Sequence, residues 1–322
     1  MNGKSAPRND GPALSAVTVV GSQRARAERT LAGLAEQTVV DRIESVIVDV
    51  APTGTARLAV PENLRVNYLS RPGIAHGIDR AEGVRNAVAP IVALIEDHAV
   101  PAPGWAEALI EAHQGPWGAV GYAFAIQQSE SYVARGGLVS EAGQWMHPAR
   151  RGEVASLAGT NVSYKREVLE SIEDLQGFLI YDVELNDQLT QLGFRMFLEP
   201  RALIWHEYFT SLRILVAANF GHGRLVALTR SHGWSVWRRI LWGLGTPLSA
   251  PLVRSWRLGR TLPHRPAVWP AVAAALPVVA AAYAGEAAGE SIGYLLGAGR
   301  ATDLVTHAEL DAPRATAAPP RR

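Results

Sequence analysis

The chain has 322 residues, of which 48% are hydrophobic, so it is long enough for one large domain or two modest ones with a sizeable core. Its formal net charge at pH 7 is +1, which gives no global reason to expect a nucleic-acid partner. The absence of cysteine excludes disulfides, thiolate metal sites and a cysteine nucleophile.

The chain begins with a polar segment rich in glycine, proline and charge. It lacks the apolar run of a signal peptide, so we expect the start of the chain to stay in the cytoplasm and residues 1–14 to be disordered.

Strand-like and helix-like segments alternate through the next hundred residues. Runs rich in β-branched residues predict strands, and apolar residues spaced three and four apart predict helices. The predicted strands are 16–20, 45–50, 63–69 and 91–95, and the predicted helices are 26–37, 78–89 and 105–113. This alternation favours an α/β fold with a doubly wound, mostly parallel sheet flanked by helices.

The pattern is less regular between residues 119 and 206. Glycine, charge and aromatic residues are mixed over 132–151, where we expect a long loop or an inserted layer. The remaining segments predict a strand at 119–126, a strand running into a helix at 162–169, a helix at 183–192 and two short closing strands at 195–199 and 202–205.

Polar residues follow the strand predicted at 91–95. Glu96, Asp97 and His98 come directly after its apolar run. In an open α/β sheet, groups at the carboxyl ends of strands line the ligand crevice. Acidic groups there are well placed to hold a divalent cation against phosphate oxygens, although a polar turn is also compatible with the pattern.

Three later residues stand at comparable boundaries. Asp182 precedes the predicted helix 183–192, either as a helix cap or as a carboxylate aimed into a cleft. Asn161 precedes the strand at 162, and Gly159 beside it allows the backbone to approach a ligand closely, as does any plain turn. His206 follows the last predicted strand, as a ligand or as a packed histidine.

Taken in order, these motifs resemble the family 2 inverting glycosyltransferases, which have the GT-A fold. The resemblance runs from about Ser15 to Ala227 and is carried by the ordered series rather than by any one motif. Its parts are Arg29-Thr30-Leu31, Ile47-Val48-Asp49, Gly83 to Asn86, Leu94 to His98, Pro103-Gly104-Trp105, Gly159-Thr160-Asn161, Tyr181 to Leu185, and His206. It implies a bacterial-type, membrane-associated member that transfers a sugar from a nucleotide-diphosphate sugar to an acceptor hydroxyl with inversion.

The resemblance implies a role for each matching residue. Asp182 would be the general base that deprotonates the acceptor hydroxyl for in-line attack at the anomeric carbon. A bound Mn²⁺ or Mg²⁺ would be held by Asp97, His98 and His206. The donor would be contacted by Asp49 at its base and, elsewhere, by Arg85, Asn86, Glu96 and Asn161.

The chain departs from the family pattern at three points. His98 replaces the last acid of the usual metal motif, and because imidazole is a softer ligand it favours manganese or zinc over magnesium. Tyr181 replaces an acid before Asp182, and Val50 follows Asp49 where a second acid is usual. These departures leave open a catalytically inactive glycosyltransferase-like protein that binds a nucleotide sugar or a partner.

Two other enzyme classes fit the motifs less well. A Rossmann dehydrogenase would carry Gly-x-Gly-x-x-Gly after its first strand, where this chain has Gly21-Ser22-Gln23. A nucleotidyltransferase would need a basic, glycine-rich loop for the triphosphate early in the chain, and no glycine-rich turn frames the early arginines.

The composition changes near Ser211, beyond which the chain is apolar and basic. Residues 267–285 are without charge, which is borderline for a span of ~20 residues. Tryptophans and arginines before this stretch favour contact with anionic lipid headgroups. The stretch is compatible with a spanning helical pair, with helices lying in the headgroup region, or with a buried helix on the catalytic domain.

We therefore expect four regions: a disordered segment over 1–14, a GT-A-like catalytic domain over 15–210, a helical membrane-associated region over 211–300 and a disordered tail over 301–322. The expected partners are a nucleotide-diphosphate sugar donor, a glycan or lipid-linked cell-envelope acceptor and membrane lipids, with no nucleic acid. The expected location is the cytoplasmic face of the cell membrane.

Overall fold

A computed structural model describes residues 11–74, 77–126, 131–180 and 182–314, and within them the chain forms a nine-stranded sheet flanked by helices. The strands are β1 (Leu14–Val20), β2 (Ile43–Asp49), β3 (Arg65–Ser70), β4 (Ile91–Leu94), β5 (Ala99–Pro101), β6 (Trp117–Ala125), β7 (Gly152–Val154), β8 (Val162–Lys165) and β9 (Arg195–His206).

Helices connect most of the strands and fill the C-terminal third. They are α1 (Arg24–Ala35), α2 (Ile78–Asn86), α3 (Trp105–Ala112), α4 (Tyr132–Ala142), α5 (Arg166–Glu170), α6 (Leu175–Ile180), α7 (Asp182–Gln191), α8 (Leu212–Arg230), α9 (Val236–Thr261), α10 (Trp269–Leu296) and α11 (Ala301–Leu310).

The sheet has the strand order β3-β2-β1-β4-β8-β6-β9-β5. The first four strands are parallel, β8 is antiparallel to both β4 and β6, and β9 runs parallel to β6. The two halves of the long strand β9 pair with the short strands β7 and β5. The carboxyl ends of β1, β2 and β4 therefore meet at one edge of the sheet.

Both faces of β1, β2 and β4 are buried, whereas the edge strand β3 is only half-buried. Alternate residues of a strand point to opposite faces. Leu14 and Val20 of β1 pack in one apolar cluster with Leu31 of α1 and Trp105 of α3, while Val17 packs in a second cluster with α2, α5 and α7. This two-sided burial explains why the strands read as near-continuous apolar runs.

The expected α/β fold class is confirmed, and three segments differ from the sequence-based expectation. Helix α4 occupies part of the segment expected to be a loop over 132–151. The two closing strands expected at 195–199 and 202–205 are one strand, β9. Residues 301–310 of the tail expected to be disordered form α11, because Ala301 and Ala308 are buried and allow close packing beside α8.

The C-terminal helices pack as a layer of their own against α4 and the sheet domain. α10 contacts α8, α9 and α4, and its two glutamates are buried in ion pairs: Glu286 with Arg254, and Glu290 with Arg230 at 2.9 Å. Among the described residues, one helical stretch, Pro266–Leu296, is long and apolar enough to cross a membrane, and 39% of its most apolar part is buried inside the protein. That burial makes the stretch weak evidence for a span.

Candidate active site

The loop after β4 and the end of β9 come together at the carboxyl edge of the sheet. Glu96, Asp97 and His98 connect β4 to β5, and β5 pairs with β9 so that Ala99 stands opposite His206. The backbone N–H of Glu207 donates to the carbonyl of His98 at 2.9 Å, which holds the two segments in register. The fold thus gathers residues that are distant in sequence.

Glu96, His98 and His206 form a compact cluster whose potential ligand atoms all lie within 4.8 Å of one another. His206 Nε2 is 2.9 Å from Glu96 Oε2, and His98 Nε2 is 3.6 Å from the same oxygen. The two imidazole rings meet edge to face, with centroids 4.7 Å apart. One carboxylate and two imidazoles converging on one point are a donor set suited to a divalent transition-metal ion.

Asp97 turns away from this cluster and orients His98. His98 Nδ1 is 3.0 Å from Asp97 Oδ1, and Arg26 pairs with the same carboxylate oxygen at 3.0 Å. When Asp97 is ionised its carboxylate can only accept, so that Nδ1 carries the proton and the lone pair is on Nε2. His98 Nε2 is buried and has no hydrogen-bond partner, so the residues present fit a metal whose histidine ligand is held by a carboxylate.

Burial and neighbouring charges shift the pKa values of Glu96, His98 and Asp97. Burial raises the pKa of Glu96, but the hydrogen bond and charge of His206 more than offset burial and lower it to about 2. Burial, with Arg314 nearby, holds the pKa of His98 well below its usual value. Burial raises the pKa of Asp97 to about 7, against the opposing charge of Arg26. An ionised Glu96 beside a neutral His98 is the state in which both can coordinate.

The expected metal set of Asp97, His98 and His206 therefore changes by one member. The structure brings Glu96, expected to contact the donor, into the cluster, and it directs Asp97 to Arg26. Neighbouring side chains after a strand point in different directions, and the sequence does not reveal which of two adjacent acids points into the crevice.

Asn161 lies where the sequence predicts, beside the acidic loop. Its side-chain nitrogen is 2.5 Å from Glu96 Oε2, and its carbonyl oxygen accepts the Glu96 backbone N–H at 3.2 Å. Thr160 lines the same cavity as Glu96 and His98. The turn before β8 thus fixes the position of the Glu96 carboxylate.

Asp49 ends β2 at the same edge and is held by two neighbours. Arg24 makes a bidentate pair with it at 2.8 and 2.9 Å, and the Tyr68 hydroxyl donates to its other side. Burial raises the pKa of Asp49, but the hydrogen bonds from Arg24 and Tyr68 outweigh burial and lower it overall. Its contact with a nucleotide base stays a prediction.

Arg85 and Asn86 are not brought to this edge, and their contact with the donor stays a prediction. A crossover helix runs antiparallel to the strands it joins, so the last turn of α2 lies near the strands' amino ends. There Val88 donates its N–H to Glu44, the second residue of β2. Arg85 is exposed and contacts Gln176 at 3.4 Å.

Arg80, in the first turn of α2, is the basic residue that does reach the crevice. It is 7% exposed and lines the cavity that Glu96 and His98 also line. Sequence reasoning missed it, although the direction of a helix after a strand was a usable signal: the N-terminal turn, not the C-terminal one, returns to the carboxyl edge.

Asp182 is the first residue of α7, and its side chain lies outside the described part of the structure. Leu179 lies three residues before Asp182, and Arg80 donates to the Leu179 carbonyl at 3.4 Å. The segment that leads into α7 therefore touches the residue that lines the crevice. The role of Asp182 stays a prediction, and Tyr181 lies outside the described residues.

The C-terminal end of the described chain also reaches this edge. Glu309 and Leu310 line the crevice cavity beside His98, with Glu309 Oε2 3.7 Å from His98 Nε2. The cavity that remains is about 30 Å³. That volume is comparable to the share of one water molecule in the liquid.

Known proteins share part of this sequence. No protein-family model matches the chain. The validoxylamine A glucosyltransferase of Streptomyces hygroscopicus subsp. jinggangensis (strain 5008) is 31% identical over 111 residues, which are 33% of this chain and 26% of that protein. Its counterpart from subsp. limoneus is 31% identical over 111 residues, which are 33% of this chain and 24% of that protein. The matched part spans about a quarter of the length of these curated relatives.

Solved structures resemble this chain. The mannosyltransferase PcManGT from Pyrobaculum calidifontis, solved with GDP-Man and Mn²⁺, superposes with a TM-score of 0.52 at 15% identity, covering 89% of this chain and 88% of that one. GalNAc-T7, solved with UDP, GalNAc and Mn²⁺, gives a TM-score of 0.47 at 13% identity over 60% of this chain and 42% of that one. The architecture of this chain is that of the GT-A-type glycosyltransferases.

Proposed function

We propose that this protein is a metal-assisted glycosyltransferase that transfers a sugar, with inversion, from a nucleotide-diphosphate sugar to an acceptor hydroxyl. The observation that carries the proposal is the cluster of Glu96, His98 and His206 at the carboxyl edge of a GT-A sheet. The chain's weak sequence similarity to the validoxylamine A glucosyltransferases supports the same class of enzyme, and so does its likeness in fold to a mannosyltransferase solved with GDP-Man.

The cluster would hold the cation through one carboxylate oxygen and two imidazole nitrogens. Two nitrogen ligands favour Mn²⁺ over Mg²⁺. When bound, the cation neutralises the negative charge that develops on the leaving diphosphate. Asp97 would keep His98 in the tautomer that presents Nε2, and Asn161 would keep Glu96 in place.

The chain's own residues would do the rest of the chemistry. Arg80 lines the crevice and would offer its guanidinium to a diphosphate oxygen. Asp182 would accept the proton of the acceptor hydroxyl, so that the acceptor oxygen attacks the anomeric carbon from the side opposite the diphosphate. The bond to the diphosphate oxygen breaks as the new bond forms, which inverts the anomeric configuration.

We also propose that the protein works at a membrane surface, on a lipid-linked or cell-envelope acceptor. Large apolar side chains of α9 recur at helical spacing and are 59 to 80% exposed: Trp237, Leu241, Leu244, Leu248, Leu252 and Trp256. An exposed apolar stripe of this kind is a contact surface. Beside it, Arg238, Arg257 and Arg260 are exposed, and no Asp or Glu occurs between Glu207 and Glu286.

This chemistry fits the headgroup region of an anionic bilayer. Tryptophan and leucine would enter the interface, and arginine would pair with lipid phosphate. α10 is less suited to a span, because Glu286 and Glu290 on it are fastened to Arg254 and Arg230 inside the protein. We therefore favour helices that lie on the membrane.

Vesicle flotation tests the membrane proposal. The protein should float with vesicles that contain phosphatidylglycerol and much less with pure phosphatidylcholine, and carbonate at high pH should release it. Leu244→Glu with Leu248→Glu should abolish flotation. Leu192→Glu, at a residue 44% exposed outside the C-terminal helices, is the matched control and should leave flotation unchanged. Equal flotation of the double variant and the control would overturn the proposal.

Nucleotide release tests the enzymatic proposal. UDP-, GDP- and dTDP-sugars are incubated with the protein and Mn²⁺, and free nucleoside diphosphate is measured with and without a membrane extract as acceptor source. We expect slow release with at least one donor, faster release with acceptor, and loss of release in EDTA and in Glu96→Gln. Donor binding without release would favour the catalytically inactive alternative. Full release in EDTA would rule out the metal-assisted reaction.

A further inference from the structure

Residues 309–314, here called the C-terminal strap, lie across the crevice in which the proposed donor would bind. We infer that the strap is an intramolecular competitor of the nucleotide-sugar donor, so that donor binding requires the strap to leave. The inference rests on the proposed function, because it takes the carboxyl edge of the sheet as the donor site.

Leu310 fills the apolar niche at the ends of β1 and β2. It is 8% exposed and packs with Val48 and Val50. A Cβ at Gly21, directly after β1, would stand 2.5 Å from the Leu310 carbonyl oxygen, so only glycine allows this contact. The niche lies next to Asp49, at the strand ends where an open α/β sheet binds its ligand.

Glu309 brings a carboxylate to the cation cluster. Its Oε2 lies 3.7 Å from His98 Nε2 and is paired with Arg314 at 2.9 Å. A negatively charged group beside a histidine that fits a metal ligand occupies the place a donor phosphate would need. Leu310 and Glu309 together therefore cover the two subsites that a nucleoside diphosphate would use, an apolar niche and an anion position at the metal.

The strap is attached to the loop and helix that follow β1. Ser22 donates its hydroxyl proton to Asp311, and Gln23 Nε2 donates to the Asp311 carbonyl at 3.0 Å. Arg26 donates to the carbonyl oxygens of Glu309 and Ala312. The contacts of Ser22 and Gln23 are exposed and can exchange with water when the strap moves, whereas those of Arg26 are buried or part-buried and must break.

The strap continues from α11, which is connected to α10 through two glycines. Gly297 and Gly299 have φ values of 79° and 52°, in the left-handed region that favours glycine, and they separate α10 from α11. α11 is held beside α8 by its buried alanines Ala301 and Ala308. The strap thus comprises the last two residues of α11 and the four residues that follow, so its departure requires the last turn of α11 to unwind or α11 to move with it.

The energetic consequence is a lowered apparent affinity for the donor. A site that is open in a fraction of the molecules binds its ligand more weakly by that fraction. If the strap is closed in about nine molecules of ten, opening it strengthens donor binding about tenfold. The strap would then set the donor concentration at which the enzyme becomes active.

A reversible lock tests the inference in the full chain. The chain has no cysteine, so Ser22→Cys with Asp311→Cys introduces the sole thiol pair, at two side chains that are hydrogen-bonded to each other. Binding of UDP, GDP and dTDP with MnCl₂ is measured by calorimetry on the oxidised form, with disulfide formation verified by mass spectrometry, and again after reduction. We expect no binding when oxidised and recovery when reduced.

A second variant opens the strap. Leu310→Asp places a charge in the apolar niche and should strengthen nucleotide binding about tenfold. Leu304→Asp, the same change at a residue 41% exposed on the same helix, is the control and should not alter binding.

The outcomes separate two failures. If the oxidised lock and Leu310→Asp bind nucleotide as the unmodified chain does, the strap does not compete with the donor. If neither the reduced lock nor Leu310→Asp binds any nucleotide, the proposed donor site itself is wrong and the inference falls with it.

Discussion

The carboxyl edge of the sheet and the C-terminal helices both bury charged groups, but they satisfy them differently. Between α8, α9 and α10, Glu286 and Glu290 each have an arginine partner, and these ion pairs neutralise the buried charges within the fold. At the sheet edge, Asp97 is paired with Arg26, yet His98 Nε2 is buried with no hydrogen-bond partner.

The difference teaches how to tell a structural ion pair from a binding site. Burying a polar group without a partner costs free energy, and a fold keeps such a group where a ligand supplies the missing partner. The arginine–glutamate pairs between helices hold the layer together. The unpartnered imidazole nitrogen next to an ionised carboxylate marks the place where chemistry is expected.

The largest effect that would sharpen this contrast is expected at Asp182. Asp182→Asn keeps the shape and removes the base, so sugar transfer should fall by about 10²–10⁴-fold while donor binding stays unchanged. Asp187→Asn on the same helix is the control, because Asp187 is exposed. Transfer by Asp182→Asn at the rate of the control would remove Asp182 from the mechanism.

A closed ion pair should affect stability rather than activity. Arg254→Met removes the arginine paired with Glu286, which is 3% exposed, and leaves His222 at 3.2 Å and the more distant charge of Arg230. We expect the free energy of unfolding to fall by about 3 kcal/mol, measured by urea denaturation, with Mn²⁺ binding retained. Arg257→Met, at an exposed arginine of the same helix, should change it by less than about 0.5 kcal/mol. Equal losses in both variants would contradict a structural role for the Arg254–Glu286 pair.

Asp97, by contrast, should affect Mn²⁺ binding rather than stability. Asp97→Ala removes the acceptor that orients His98 and should weaken Mn²⁺ binding about 10–100-fold, measured by calorimetry. Glu44→Ala, a buried carboxylate at the amino edge of β2, is the control for burial alone and should leave Mn²⁺ affinity unchanged. Unchanged Mn²⁺ affinity in a folded Asp97→Ala protein would contradict its orienting role.

The smallest effect concerns His113, another buried histidine with a ring nitrogen that has no hydrogen-bond partner, but with no carboxylate beside it in the described structure. Burial lowers its pKa to about 3, and its Nε2 contacts Ser163 at 2.9 Å. As the pH falls, His113 is therefore protonated in the unfolded state before it is protonated in the folded state. The stability that neutral His113 contributes is fully present above pH 6.5 and is lost as the pH falls toward 3. At pH 5.5 the free energy of unfolding should be about 1 kcal/mol lower than at pH 7.5 because of His113.

The comparison with His113→Gln isolates that contribution. The variant should show a shallower loss of unfolding free energy between pH 7.5 and 5.5 than the unmodified chain. Parallel pH profiles would show that His113 does not titrate between the folded and unfolded states.

The parallel half of the fold was predictable because three of its four strands, β1, β2 and β4, are buried on both faces. Apolar runs such as those of β1 and β2 leave little ambiguity, and the helices between them keep helical spacing. β9 was split into two strands because Pro200 and Arg201 interrupt its apolar pattern, whereas β7 and β5 pair with the two halves of one strand.

The candidate site was predictable in place but not in orientation. That polar residues would gather after β4 follows from topology alone. Which of Glu96 and Asp97 points into the crevice depends on side-chain direction, and the choice of Arg85 over Arg80 ignored the direction of α2. The position of Leu310 over the crevice was not predictable, because the alanine-rich tail carries no pattern that indicates where one of its residues packs.

The most direct test of the central claim is pulsed electron paramagnetic resonance of Mn²⁺ bound to the protein in the presence of UDP or GDP. The geometry of Glu96, His98 and His206 predicts modulation from two coordinated imidazole nitrogens. His98→Gln and His206→Gln should each reduce the modulation by half, because each removes one nitrogen. Bound Mn²⁺ without nitrogen modulation, or with undiminished modulation in both variants, would contradict a cation site at the carboxyl edge of this sheet.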